Sequence, residues 1–256
     1  MSLALYQAEL RARVVYYAFF TGFKRFSNSP WFVISLLVLW EGIIYEQTRF
    51  AGFFYSLINC APKYEADVNK LREFLLYSRQ GRTDTDWTNM HDAGRMDIVH
   101  ECIVASLFLS HGLRRDVTFH AILNGPPKPP LHLQINGAEL FDIRTDIETW
   151  HGILKKVICR KTHPGITVAK TGFEALLKEK AETRHIYVLE EGGRNIAETE
   201  IDPNPIFVLG DHVGLPKKAE TFTLRYGDKI SLGKRPYLAA SCITVLNYLL
   251  DRTELC

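Results

Sequence analysis

At 256 residues, with 46% hydrophobic and 23% charged residues, the chain has the composition of an ordinary soluble globular protein, long enough for a substantial core and for one main domain. Its formal charge is only +2, and from Leu71 onward 24 Lys+Arg balance 24 Asp+Glu, which excludes a uniformly basic nucleic-acid binder and leaves any polyanion to a local patch. Five scattered cysteines (Cys60, Cys102, Cys159, Cys242, Cys256), with no C-x-x-C pair, exclude a zinc ribbon and a disulfide framework and fit a reducing, cytoplasmic setting.

Residues 1–70 differ in kind from the rest of the chain. The first 62 hold 15 of the 30 aromatic residues. The most apolar stretch, Trp31 to Tyr45, is about 15 residues long and interrupted by Glu41 and Gly42, short of the roughly 20 that a spanning helix needs, so no membrane anchor is expected. The N-terminus lacks the order of a secretory signal. The segment reads as an aromatic-rich extension, either a helical hairpin packed on the main domain or sequence upstream of the true start, with Leu71 standing at the initiating position.

From Leu71 to Cys256, short β-rich runs alternate with helical ones, the pattern of an α/β domain. Strands are expected at Arg72 to Tyr77, Val117 to Leu123, Leu131 to Ile135, His185 to Leu189 and Ile206 to Leu209. A helix is expected from Met96 to Ser110, with Ile98, Cys102, Ala105 and Leu109 as its buried stripe between Gly94 and Gly112. Gly125 to Pro130 (GPPKPP) is a rigid connector. Asn136-Gly137 predicts a hairpin joining Leu131–Ile135 to Glu139–Phe141, because both residues tolerate positive φ. A last helix, Tyr237 to Asp251, is apolar around most of its circumference and is expected in the core or at a subunit interface.

Three places carry chemistry. The run Phe207-Val208-Leu209-Gly210-Asp211-His212 is a buried strand ending in a glycine, where a ligand can approach the backbone; locally it is also a strand, a turn and a polar cap. Lys229-Ile230-Ser231-Leu232-Gly233 leads through Lys234-Arg235-Pro236 into the last helix, and its backbone can serve an adenine or a carboxylate. Gly94-Arg95-Met96-Asp97 and Arg114-Arg115-Asp116 bracket the first helix; their guanidiniums suit phosphates and their carboxylates suit proton transfer, although internal Arg–Asp networks explain each pair as well. Lys155-Lys156 with Arg160-Lys161 reads as a solvated helix end ahead of an RNA contact. No H-E-x-x-H, P-loop or dinucleotide fingerprint occurs, and no metal is expected.

Taken in order, Leu71-Arg72-Glu73-Phe74, Gly94-Arg95-Met96-Asp97, Phe108-Leu109-Ser110-His111, Arg114-Arg115-Asp116-Val117, the GPPKPP run, Phe207 to His212 and Cys242-Ile243-Thr244 resemble the archaeal tRNA pseudouridine-54 N1-methyltransferases of the SPOUT superfamily, including its bacterial pseudouridine-methyltransferase branch. The resemblance implies a trefoil-knotted α/β fold with a mainly parallel sheet, S-adenosylmethionine as methyl donor, RNA (tRNA above all) as partner, and a homodimer. Carried over by position, Leu189, Gly210, Ile230, Ser231, Leu232, Gly233, Lys234, Arg235, Pro236 and Cys242 line the donor pocket, with Cys242 packing rather than attacking. Asp116, slightly ahead of Asp97, is the implied base, Arg95 assists, and Arg114 and Arg115 bind RNA. The chain departs from its archaeal relatives at Arg144-Thr145-Asp146-Ile147-Glu148-Thr149, and at Ser241 and Leu246, where they carry histidines. These departures bear on the RNA target, and the rival to catalysis is an RNA-binding dimer of the same fold.

Overall fold

The computed structural model describes residues 71–253; the aromatic-rich segment 1–70 and its apolar stretch lie outside the described residues. Seven strands form one sheet: β1 (Arg72–Ser78), β4 (Val117–Leu123), β5 (Leu131–Asn136), β6 (Ile166–Ala169), β7 (Ile186–Asn195), β8 (Ile206–Gly210) and β9 (Gly227–Ser231), in the order β6-β5-β4-β1-β8-β7-β9. The pairs from β4 through β1, β8 and β7 to β9 are parallel; β4–β5 and β5–β6 are antiparallel. The central strands are buried on both faces, as their near-continuous apolar runs require.

Strand alternation sorts the core into two layers. Phe74, Leu76, Phe207 and Leu209 face α1 (Met96–Leu107) and α5 (Ala239–Thr253), while Leu75, Val188, Ile206 and Val208 face α3 (Phe173–Ala181) and α4 (Lys217–Thr223). A further helix, α2 (Ile147–Ile158), is capped by the Asp146 carboxylate, which accepts from the Thr149 N–H, and buries Trp150 completely. No helix among the described residues is long and apolar enough to cross a membrane.

Two expectations are corrected. Helix α1 ends at Leu107, because Phe108 turns extended (φ −94°, ψ 138°) and pairs with Leu113 in a small ribbon of β2 (Phe108–Leu109) and β3 (Gly112–Leu113); Leu109 is therefore exposed. Asn136-Gly137 does turn, its Asn136 carbonyl accepting from Glu139 and Leu140, but no returning strand comes after it. Both edges of β5 are already taken, by β4 through the proline-rich connector and by β6. Helix α5 packs one face (Ile243, Leu246, Asn247) into the core and leaves Val245 and Tyr248 exposed, continuing a surface begun by Tyr237 and Leu238.

Across β1, β4 and β5 on the α3 side lies a buried relay. The Glu73 carboxylate meets His120 Nε2 at 3.0 Å, Lys180 at 2.9 Å and Arg184 at 3.3 Å, and His120 Nδ1 lies 3.0 Å from His132 Nε2. Burial pushes Glu73 up, but hydrogen bonding and charge from His120 and Lys180 overcome it and hold the carboxyl at about 2. His132 is pushed down from 6.5 to about 4, by burial first and by the charge of His120 second. Its neutral form is favoured by folding, so this contribution is complete above the unfolded value near 6.5 and is lost as pH falls toward 4. Thermal melts across that window should show His132→Gln losing less stability than wild type, by up to about 3 kcal/mol. Parallel curves would mean that His132 titrates as it does in the unfolded chain.

Candidate active site

The parallel strands β1, β8, β7 and β9 deliver their carboxyl ends to one edge of the sheet, where open α/β folds place their ligands. Tyr77 at the end of β1 is in register with Gly210 at the end of β8. The next residue but one after Tyr77, Arg79, is tied to the loop after β8: its N–H donates to Asp211 Oδ2 at 2.7 Å and its Nη2 to the Gly214 carbonyl at 3.1 Å. Asp211 Oδ1 in turn accepts from Val213 N–H at 3.0 Å. A Cβ on Gly210 would stand 2.2 Å from the Leu215 nitrogen, so what approaches this glycine is the chain's own turn. Gly210 shapes the edge by letting that turn fold back, and a side chain there would drive the turn outward.

The Arg95–Asp97 pair stands on the same edge. Gly94 (φ +69°) packs so close to the Gln80 carbonyl that a Cβ would lie 1.8 Å from its oxygen. Arg95 comes next in the left-handed region (φ 65°, ψ 42°) as the residue opening α1, a conformation that costs a non-glycine residue of the order of 1 kcal/mol. Its Nε lies 3.1 and 3.2 Å from the two Asp97 oxygens and its Nη2 lies 3.0 Å from Oδ2. The hydrogen bond to Asp97, and more weakly the charge of Asp211, hold the Arg95 guanidinium firmly protonated. Asp97 remains partly accessible, at 20% side-chain exposure.

The loop after β9 completes the edge. Leu189 is in register with Ile230, whose side chain is fully buried, so this residue offers a ligand only its backbone. Ser231 Oγ donates to the Gly233 carbonyl at 2.9 Å and accepts from its N–H at 3.0 Å, closing a tight turn. Gly233 has φ +135° and no atom within 4 Å of where a Cβ would stand. Lys234, Arg235 and Pro236 are exposed, and the N–H groups of Lys234, Arg235, Tyr237 and Leu238 have no hydrogen-bond partner among the described residues. Leu189, Leu232 and Cys242 are half-buried apolar walls packed against the core. Burial pushes the Cys242 thiol up to about 11, so it is a neutral packing group at physiological pH. Free backbone donors beside apolar walls are the donor set that an adenine needs, and S-adenosylmethionine fits these residues.

The remaining expected residues lie elsewhere. Asp116 precedes β4 at the opposite, amino-terminal edge of the sheet, 7% exposed, with Oδ2 3.0 Å from Arg72 Nη2. Arg114 is held by Asp251 in a fork of 2.8 and 2.7 Å, and Arg72 Nη1 joins the same carboxylate at 2.8 Å. Arg115 Nη1 donates to the carbonyls of Gly137, Ala138 and Leu140. Within this chain Asp116 and Arg114 form a buried clasp with Arg72 and Asp251 at the end of α5, away from the edge that carries Gly210 and Asp97. Arg79 was missed by sequence reasoning; its signal is its place two residues beyond the register partner of Gly210. Among the described residues no cluster of His, Cys, Asp and Glu is arranged to hold a metal.

A family described as "Putative SAM-dependent RNA methyltransferase" matches residues 71–255. A tRNA (pseudouridine(54)-N(1))-methyltransferase of Methanocaldococcus jannaschii is 33% identical over 205 residues, covering 73% of this chain and 99% of that protein. A Vibrio cholerae protein named "Putative pseudouridine methyltransferase" is 31% identical over 198 residues, covering 72% and 98%. Among solved structures, Archaeoglobus fulgidus Nep1 bound to S-adenosylhomocysteine superposes with a TM-score of 0.54 at 13% identity, covering 73% of this chain and all of that one, which shows a shared fold.

Proposed function

Because the chain belongs to the family of S-adenosylmethionine-dependent RNA methyltransferases, we propose that it methylates N1 of pseudouridine in tRNA, with Asp97 as general base. The observation that carries this reading is the presence of the Arg95–Asp97 pair and the open Ser231–Leu238 loop on one edge of the sheet.

S-adenosylmethionine supplies, when bound, a methyl group on a sulfonium, which the deprotonated N1 takes as a neutral thioether leaves. Pseudouridine N1 is imide-like and must give up its proton; the Asp97 carboxylate accepts it. Arg95 holds that carboxylate in one orientation, and its positive charge stabilises the anionic ring as it forms. The Lys234–Leu238 backbone would hold the adenine, Gly233 would leave room beside it, and Leu189, Leu232 and Cys242 would exclude water from one side.

In the same reading, residues 71–256 are the catalytic domain and 1–70 an extension to it. Helix α5 is the threaded segment of a trefoil knot, the protein works in the cytoplasm, and Tyr237, Leu238, Val245 and Tyr248 supply the apolar centre of a homodimer interface. The full chain, given labelled S-adenosylmethionine, should transfer methyl to a tRNA carrying pseudouridine and not to the same transcript carrying uridine. Donor binding with no transfer to either RNA would favour the RNA-binding dimer; failure of the folded chain to bind the donor calorimetrically would overturn the methyltransferase reading.

A further inference from the structure

We infer that the cleft between α3 and α4 is a second RNA-binding surface, which grips the phosphate backbone of the substrate beside the reacting nucleotide. The inference rests on the proposed RNA substrate. A cleft of about 460 Å³ is lined by Lys217, Lys218, Arg225 and Phe222, with Glu174 as its one acid. Lys178 Nζ and Arg225 Cζ stand 5.8 and 5.7 Å from the centre of the Phe222 ring, which gathers a cation from each helix beside the cleft. Lys217 and Lys218 are exposed and make no ion pair among the described residues, while Glu220, the nearest acid on α4, is taken by Lys229. Three cations thus face one carboxylate in the cleft, with Lys178 beside its ring, in a domain whose charges balance as a whole.

The cleft lies on the other face of the sheet from α1, and the starts of α3 and α4 bring it toward the same carboxyl edge. Tyr77, in register with Gly210, packs edge-on against Phe173 at the start of α3, with ring centres 5.1 Å apart. The turn that Arg79 holds at Gly214 leads directly through Pro216 into Lys217. A strand of phosphates leaving the nucleotide at Asp97 therefore meets Arg79's turn and then the cleft. The occupant is a polyanion rather than a protein surface, because the lining is mainly cationic and its one ring, Phe222, is buried, while the exposed apolar groups nearby, Leu224 and Tyr226, line no part of the cleft. This patch also answers the need for a local basic surface in a nearly neutral chain, which Arg114 does not meet because it is paired with Asp251.

The test uses the full chain and an unmodified tRNA transcript, with binding followed by fluorescence anisotropy between about 50 and 200 mM salt. The double variant Lys217→Gln/Lys218→Gln is compared with Lys156→Gln/Lys161→Gln, which removes the same charge from exposed positions around the end of α2. The cleft variant should bind roughly tenfold more weakly, with the slope of log K against log salt reduced by about 1.5, while its affinity for S-adenosylmethionine and its thermal midpoint are unchanged. Unchanged tRNA affinity in the cleft variant beside a wild type that binds would overturn the cleft and leave the RNA reading standing. Equal losses in both variants would overturn it as a general charge effect. No tRNA binding by wild type would bring down the RNA reading and the cleft together.

Discussion

Asp97→Asn should lower kcat for methyl transfer by about 10² to 10⁴-fold, the usual contribution of a positioned general base, while KM for tRNA and the affinity for S-adenosylmethionine change little. The substitution keeps the shape of the side chain and most of its contacts with Arg95, so the strained entry into α1 should survive, and a methyltransfer assay with a parallel calorimetric titration separates the two effects. A loss confined to KM would make Asp97 a binding group; retention of wild-type kcat would remove it from proton transfer. Arg95→Lys is the informative companion, because lysine keeps the charge but cannot span both carboxylate oxygens, and so reports how far catalysis depends on orientation.

Asp116→Ala should instead destabilise the fold, by about 1 to 3 kcal/mol, because it removes a nearly fully buried carboxylate from the equally buried Arg72 guanidinium, which keeps Asp251 and Asn247 as partners. That is a large share of the 5 to 15 kcal/mol that typical domains possess, and urea unfolding should show it as a fall in midpoint at unchanged slope. The folded fraction should retain the wild-type kcat. Asp251→Ala, which frees Arg72 and Arg114 from the end of α5, should cost less, since its carboxylate is about one-third exposed and partly screened. A stable Asp116→Ala protein without methyltransferase activity would reverse the assignment and make Asp116 the base in place of Asp97.

The two carboxylates look alike in sequence because each sits beside an arginine at one end of the same helix: Gly94-Arg95-Met96-Asp97 before α1, Arg114-Arg115-Asp116 after it. A helix of twelve residues spans about 18 Å, so its two ends are at opposite edges of the sheet, and only one of them shares the edge with Gly210 and Ser231. The decision between them comes from the parallel register of β1 with β4 and β8, which no local pattern contains.

What the sequence determined by itself are the features set by near neighbours. Mostly apolar segments of five to seven residues became β1, β4 and β8, because a strand with apolar side chains on both faces is stable only between two helical layers. The ordered motifs identified the family and the loop after β9, and the helical periodicity placed α1 and α5 within two or three residues at their ends. What only the tertiary structure decided are the pairings between distant segments. Arg114 is claimed by Asp251 across 137 residues, Gly210 serves the turn at Gly214 and Leu215, both edges of β5 are filled before Asn136-Gly137 can form a hairpin, and α3 and α4 bring together cations 39 or more residues apart. Each depends on which buried group reaches which partner first in three dimensions, and the cost of leaving a buried charge or sheet edge unpaired, not the residue's local pattern, settles the outcome.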